Sequence, residues 1–220
     1  MPRKSPSKYV LAIDCETTGM CFDTDASDSR VFNNETGEKH QALSWGLVVA
    51  ELETYEQVEG AELYFELKWN HATRRQRRDN PNFGVFAEGI HGLTYAHLEE
   101  YGISEINGAT QIAELIARFW QPDEDIRTVG QNVHLFDVRF LLDMLEQGGR
   151  RISFGSRHLD TFSLAMGTTR APNTDAMLVA VGLGERTGHH NALEDAKLTL
   201  EVFRRISTMW AEQGGVVVGS

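Results

Sequence analysis

The sequence predicts a single α/β domain on a mixed sheet, with an antiparallel part followed by parallel strands and with helices on its faces. Three strand-like segments come first, separated by short or polar connections, which favours an antiparallel meander. Beyond about residue 109, helical and strand-like segments alternate, which is typical of helices packed on a sheet. The 220 residues are enough for one sizeable core and fit one domain better than two.

Three apolar segments form the expected meander. They are Tyr9–Cys15, Ala42–Leu52 and Ala61–Lys68, the last with alternating apolar and polar residues. The polar residues at about 20–40 predict a loop insertion, either disordered or acting as a lid or partner-binding loop. We expect residues 1–8 to be a solvated basic tail, 9–212 to be the domain and 213–220 to be a second tail.

The second half carries the helical patterns. Residues 109–120 show apolar positions at helical spacing, 126–130 are a short strand, and 135–147 are a helix that stops at two glycines. Short helices are expected at 160–166 and 175–181. The longest helix is expected over 191–213, with Asn191 as its N-cap.

The composition of the chain limits the kinds of function that the protein can have. A net charge of −11 argues against a protein that coats nucleic acid through bulk charge. It permits a nuclease, because divalent ions neutralise a carboxylate cluster locally. No apolar run is long enough for a membrane span, and Cys15 and Cys21 suggest neither a disulfide framework nor a zinc knuckle. We therefore expect a cytoplasmic protein without membrane association.

The first strand ends in two acids, Asp14 and Glu16. Residues two apart in a strand point to the same face, so both carboxylates project together and Cys15 projects to the other side. Paired carboxylates repel each other unless a proton or a divalent cation lies between them. Oxygen ligands suit magnesium or manganese. The alternative is a pair of solvated acids at the end of a strand.

Two further acidic positions lie at helix starts. Asp137 falls in the first turn of the helix after the 126–130 strand, where the helix dipole favours a carboxylate regardless of function. Asp195 falls in the first turns of the last helix, and His190 comes immediately before that helix. A rigid acid and a mobile histidine would then lie side by side. The alternative for either histidine of the His189-His190 pair is a surface loop residue.

In this order, the three segments resemble the motifs of the DEDDh exonucleases, the family of the proofreading subunit of bacterial replicative polymerase, ribonuclease T and oligoribonuclease. The first motif, Asp-x-Glu with Thr-Thr-Gly after it, is matched by Asp14–Gly19. The second, an Asn followed five positions later by an Asp, is matched by Asn132 and Asp137. The third, His-x-Ala-x-x-Asp, is matched by His190–Asp195, whereas His189 misses its spacing by one. The resemblance covers nearly the whole chain.

The resemblance implies a ribonuclease H-like mixed five-stranded sheet and a 3′→5′ exonuclease that releases nucleoside 5′-monophosphates from a single-stranded DNA or RNA end. It implies two magnesium ions, for which manganese can substitute, held by Asp14, Glu16, Asp137 and Asp195. His190 would be the general base. Thr17, Thr18 and Asn132 would position the last nucleotide. The segments Ile90–Thr94 and Leu159–Thr161 resemble connectors of the same family.

A basic cluster, Arg74, Arg75, Arg77 and Arg78, is either a patch that follows the nucleic-acid backbone or a solvated charged loop. Two alternatives to a free-standing enzyme remain open. The chain could be a catalytically silent nucleic-acid-binding module, or a proofreading subunit that acts only with a polymerase. A second copy of the chain is a further possible partner. Neither DNA nor RNA is favoured by the sequence.

Overall fold

A computed structural model describes residues 5, 7–19, 32–33, 38–186 and 188–212 of the chain. The strands are β1 (Tyr9–Thr17), β2 (Phe32–Asn33), β3 (Glu38–Lys39), β4 (Ala42–Glu51), β5 (Gln57–Glu66), β6 (Arg127–Gly130) and β7 (Leu159–Asp160). The helices are α1 (His71–Asp79), α2 (Val85–His91), α3 (Tyr95–Tyr101), α4 (Glu105–Phe119), α5 (Asp137–Gln147), α6 (Thr161–Thr169), α7 (Thr174–Ala180) and α8 (Ala192–Glu212).

The central sheet has the order β5-β4-β1-β6-β7. Its first three strands are antiparallel, whereas β6 runs parallel to β1 and β7 runs parallel to β6. β2 and β3 form a separate two-stranded ladder. The predicted mixed five-stranded α/β sheet is therefore confirmed, with β1 in the middle.

The alternation of side chains along β1 divides the core in two. Leu11, Ile13 and Cys15 pack into the cluster that includes the buried faces of α4 and α5. Val10 and Ala12 pack on the other side, against residues of α8. Asp14 and Glu16 continue this second series at period two. The apolar pattern of the strand thus directs both carboxylates towards the face that α8 covers.

Several elements differ from the sequence expectations. β7 has only two residues, and its pairing with β6 defines it, so it leaves no periodic signal in the sequence. The basic segment at 71–78 forms helix α1, where a loop was one of the two expectations. Its side chains are almost all polar, so apolar periodicity could not reveal it. Its N-cap Asn70 accepts a hydrogen bond from the backbone N–H of Thr73 at 3.0 Å.

The described residues at the start of the chain pack against the domain, whereas we expected residues 1–8 to be a solvated tail. Ser5 forms an isolated parallel bridge with Glu124, and Ser7 is buried. The described part of the 1–8 segment is thus attached to the domain. Most of the expected insertion (20–31 and 34–37) and the 213–220 tail lie outside the described residues. Within the described ranges, no helix is both long and apolar enough to cross a bilayer.

Gly46 controls how closely α8 approaches the sheet. This residue pairs with Asp14 across β1 and β4. A Cβ atom built at Gly46 would lie 2.1 Å from the carbonyl oxygen of Ala192, the first residue of α8. Only a residue without a side chain permits that distance, so Gly46 sets the start of α8 beside Asp14.

We expect Gly46→Ala to destabilise the fold by about 1–3 kcal/mol, because the new methyl group meets backbone that must shift. Denaturant unfolding of both proteins measures the difference. Gly167→Ala is the control, since Gly167 lies in α6 with open space around it and an alanine there should stabilise by about 0.5–1 kcal/mol. Equal stability of Gly46→Ala and the parent would contradict the constraint.

Candidate active site

A cleft of about 640 Å³ opens at the end of β1, between α2, α5 and the start of α8. It brings together all five residues that the sequence motifs predicted to be catalytic: Asp14, Glu16, Asp137, His190 and Asp195. These residues come from three separate parts of the chain. The fold thus brings the residues of all three sequence motifs together in one cleft.

Of the two acids on β1, Glu16 is the less exposed to solvent. The residue is 7% exposed, and its Oε1 atom is buried with no hydrogen-bond partner among the described residues. A buried carboxylate oxygen without a partner is costly. Among the described residues, no donor offsets the cost of burying this oxygen.

Asp137 is the first residue of α5 and is 3% exposed. Its Oδ1 atom accepts a hydrogen bond of 3.0 Å from the backbone N–H of Cys15. This bond ties the start of α5 directly to β1, between Asp14 and Glu16. Asn132, on the turn before α5, has a φ of 53°, and its carbonyl accepts the N–H groups of Leu135 and Phe136. Asparagine tolerates this left-handed conformation better than most residues.

The start of α8 positions Asp195 and His190. The Oδ1 atom of Asn191 accepts hydrogen bonds from the N–H groups of Leu193 and Glu194, at 3.1 and 3.2 Å, which confirms the predicted N-cap. Asp195 is 7% exposed, and its Oδ2 lies 3.9 Å from Nδ1 of His190. Ligand atoms of Glu16, His190 and Asp195 all lie within 4.8 Å of one another.

Arg186 belongs to the site, although the sequence reasoning missed it. Its guanidinium forms a salt bridge of 3.2 Å with Asp195, and Nη1 lies 3.0 Å from both ring nitrogens of His190. The sequence did offer one signal for Arg186. It is a cation four residues before His190, and a cluster of acids needs a positive charge nearby.

Burial raises the pKa values of all four acids, and repulsion from the other acids of the cluster raises those of Asp14 and Glu16 further. Burial is the largest cause for each; for Asp14 the charge of Asp137 adds to it, and for Glu16 that of Asp195. The pKa of Glu16 rises to about 7 and that of Asp137 to about 7. The pKa of His190 is lowered, by burial first and by Arg186 second. Near neutral pH the imidazole is therefore kept neutral.

His91, in the predicted connector 90–94, fixes the backbone beside the acids. The N–H of Leu93 donates to His91 Nδ1 at 3.0 Å, so the proton of the neutral ring is on Nε2. Nε2 then donates to the carbonyl of Thr17 at 3.2 Å. Burial lowers the pKa of His91 and favours this neutral form.

The three candidate substrate-binding residues are placed differently. Thr17 and Asn132 line the cleft. Thr18 is 2% exposed, and its hydroxyl contacts His40 Nδ1 at 3.2 Å and accepts the N–H of Gln41 at 3.1 Å. The side chain of Thr18 therefore ties the end of β1 to the segment before β4, and Thr17, not Thr18, lines the cleft.

An apolar rim, defined as Phe86, Ile90 and Leu135, lies on the same cleft. Phe86 is 82% exposed, Leu135 is 54% and Ile90 is 39%. Exposed large apolar side chains at a cleft mark a binding surface. Sequence reasoning did not single out this rim, because helix α2, which carries Phe86 and Ile90, was not predicted and Leu135 is distant from it in sequence.

The four arginines of the basic cluster lie on α1, outside the residues that line the cleft. Arg74 pairs with Glu99 at 2.8 Å, Arg77 with Glu88 at 3.3 Å and Arg78 with Asp79 at 3.0 Å. Arg77 also donates to the carbonyl of Phe83. Most of the cluster thus participates in ion pairs, and Arg75 is exposed.

The residues fit divalent cations. Four carboxylates with raised pKa values converge on one cleft, and Glu16 presents a buried oxygen without a partner. A hard, oxygen-preferring cation would relieve both the repulsion and the unsatisfied oxygen. The donor set therefore fits a divalent cation that prefers oxygen ligands, with an imidazole beside it.

Comparisons with known proteins establish the fold. No protein-family model and no curated protein matches the sequence. Among solved structures, the zinc-bound form of the Escherichia coli exonuclease I complex with single-stranded DNA superposes with a TM-score of 0.63 at 15% identity, over 93% of this chain and 41% of that chain. Exonuclease I from Methylocaldum szegediense gives 0.60 at 18% identity, over 93% and 41%.

A 3′-exonuclease described as recognising the 3′ end of a histone mRNA stem-loop gives a TM-score of 0.59 at 14% identity, over 96% of this chain and 84% of that chain. The present chain thus spans about two fifths of the exonuclease I chains and most of the 3′-exonuclease chain. At these identities the likeness defines the fold, which is the fold of exonucleases.

We expect the metal-free protein to become more stable as the pH falls from about 8 to about 5. The folded state raises the pKa of Glu16 from 4.5 to about 7, so it binds this proton more tightly than the unfolded chain does. The stabilisation is complete below the unfolded pKa and is lost as the pH rises through the folded pKa.

Melting temperatures in chelator across that pH range measure the effect, and Glu16→Gln should flatten part of the slope. The matched control is Glu114→Gln, which changes an exposed carboxylate on α4. A slope that is unchanged in Glu16→Gln would show that this carboxyl group is not the one titrating.

Proposed function

We propose that the protein is a metal-dependent 3′→5′ exonuclease that hydrolyses the terminal phosphodiester of a single-stranded nucleic acid and releases a nucleoside 5′-monophosphate. The observation that carries the proposal is the meeting of four acids, three buried and Asp14 half-buried, with His190 in one open cleft. The fold, which is shared with solved exonucleases, supports the same reading.

Asp14, Glu16, Asp137 and Asp195 would hold two magnesium ions, or manganese in their place. When bound, these ions supply Lewis-acid stabilisation of the charge on the phosphate and acidify the attacking water. The chain itself supplies the alignment. Asp137 is fixed to the backbone of β1, and Asp195 is fixed by the capped start of α8.

His190 takes the proton of the attacking water in this proposal. Its lowered pKa keeps the ring neutral near pH 7, which a base requires. The side chain is 41% exposed, so it reaches the open part of the cleft. His189 is exposed, and its Nδ1 contacts the carbonyl of Ile90 at 3.2 Å instead.

The apolar rim favours a single strand as substrate. Unpaired bases expose flat apolar faces that stack on aromatic and aliphatic side chains. Phe86 and Leu135 offer such surfaces next to the acids, and Thr17 and Asn132 would position the last nucleotide. The arginines of α1 are a secondary candidate for backbone contacts, chiefly Arg75. Experiments must decide whether the substrate is DNA or RNA. They must also decide whether the protein acts with a polymerase or with a second copy of itself.

The first test is digestion of 5′-labelled single-stranded DNA and RNA, with magnesium and with chelator. The parent should give a metal-dependent ladder that shortens from the 3′ end, and Asp14→Asn should give none. Glu114→Gln is the control for loss of one carboxylate and should digest like the parent. Absence of a ladder on both substrates would favour a silent binding module or an enzyme that needs a polymerase.

The role of His190 is tested by His190→Ala, which should lower turnover by about 10²–10⁴-fold, the usual contribution of a general base. Single-turnover digestion measures the rate, and calorimetry with manganese should give nearly unchanged ion affinity. His189→Ala, the neighbouring histidine, is the matched control and should retain the parental rate. Equal rates for both variants would remove His190 from the chemistry.

A further inference from the structure

Arg186 makes contacts that the proposed reaction does not use. The two oxygens of Asp195 both face its guanidinium: Nη2 lies 3.2 Å from Oδ1, and Nη1 lies 3.3 Å from Oδ2. The same Nη1 atom lies 3.0 Å from the ring nitrogens of His190. One guanidinium thus engages two of the three residues whose ligand atoms are close enough to share a metal ion.

The Arg186 guanidinium contacts both carboxylate oxygens of Asp195, and this two-point contact affects the strength of the pair. A guanidinium that contacts both oxygens of one carboxylate forms a stronger pair than a single charged contact does. Arg186 has 21% of its side chain exposed and Asp195 has 9%, so water screens this pair only in part. A divalent ion bound to the same oxygens would have to replace the guanidinium, because the two positive charges repel each other.

The contact with His190 is of a different kind. A neutral imidazole has one free lone pair, which lies in the plane of the ring and points away from it. Nη1 is equally close to both ring nitrogens, so it does not lie along that lone pair, and the contact places the guanidinium charge beside the ring. The arrangement in which Arg186 holds Asp195 is therefore closed to an ion at the same carboxylate oxygens, and it keeps the guanidinium next to His190.

We infer that Arg186 is a positioning residue that occupies the cation position between Asp195 and His190 and withdraws when a divalent ion binds. The arginine side chain has several rotatable bonds, and it borders the open cleft. It can therefore leave without movement of β1 or α8. This inference rests on the proposed function only in taking the carboxylates to be an ion site.

The test is calorimetric titration of manganese into the parent, Arg186→Gln and Arg186→Lys. Arg186→Gln removes the competing charge and should bind the ion about three- to tenfold more tightly, the range expected for the loss of one partly screened ion pair. Arg186→Lys keeps the charge without the fork and should show a smaller gain. Arg118→Gln, an exposed arginine on α4, is the control for net charge and should match the parent.

Melting temperatures give an independent readout. In chelator, Arg186→Gln should melt below the parent, since the acids lose their counter-ion, and manganese should raise its melting temperature by more than it raises that of the parent. Equal ion affinity in the parent and both Arg186 variants would overturn this inference and leave the proposed function standing. The same gain in Arg118→Gln would also overturn it. Absence of ion binding in every protein would overturn both.

Discussion

The crowding of four carboxylates in one cleft is the constraint on which the rest of the site depends. Burial raises the pKa of each acid, and the charges of neighbouring acids raise the pKa values of Asp14 and Glu16 further, so the cluster costs the fold stability at neutral pH. A protein keeps such an arrangement only if something offsets the cost. The chain offers Arg186 at Asp195 and one backbone N–H at Asp137, and it leaves Glu16 Oε1 without a partner among the described residues.

Backbone geometry, more than side-chain attraction, keeps the acids together. β1 directs Asp14 and Glu16 to one face through its period of two, and its central place in the sheet holds that direction rigid. Gly46 lets the start of α8 approach the sheet more closely than any other residue would allow, which brings in Asp195. Because β1 and the close approach at Gly46 do not depend on Asp14, Glu16 or Asp195, removing one of these three carboxylates should leave the others nearly in place. Charge-removing variants at this site therefore report on chemistry more than on folding.

The sequence predicted the features that periodic apolar patterns or short local motifs encode. The period of β1, the apolar stripe of α4 and the cap at Asn191 are local signals, and the structure confirms each of them. The two-residue strand β7 was missed because only its pairing defines it. Helix α1 was missed because its side chains are almost all polar. The apolar rim was missed because it combines side chains that are distant in sequence. Arg186 was missed for a related reason. Its partners are the acids and the histidine of the site, and no spacing rule connects a counter-ion to its cluster.

The net charge of −11 and the apolar rim bear on the same question, namely how a negatively charged protein would bind the polyanion of the proposed reaction. The net charge repels a polyanion, so the attraction must be local to the cleft. In the proposed enzyme, four carboxylates (−4) and two divalent ions (+4) cancel, and Arg186 adds +1 once it has left Asp195. The rim formed by Phe86, Ile90 and Leu135 then adds base contacts that salt does not screen. A site of this kind favours the end of a strand, where one phosphate and one or two unpaired bases fit, over the length of a duplex.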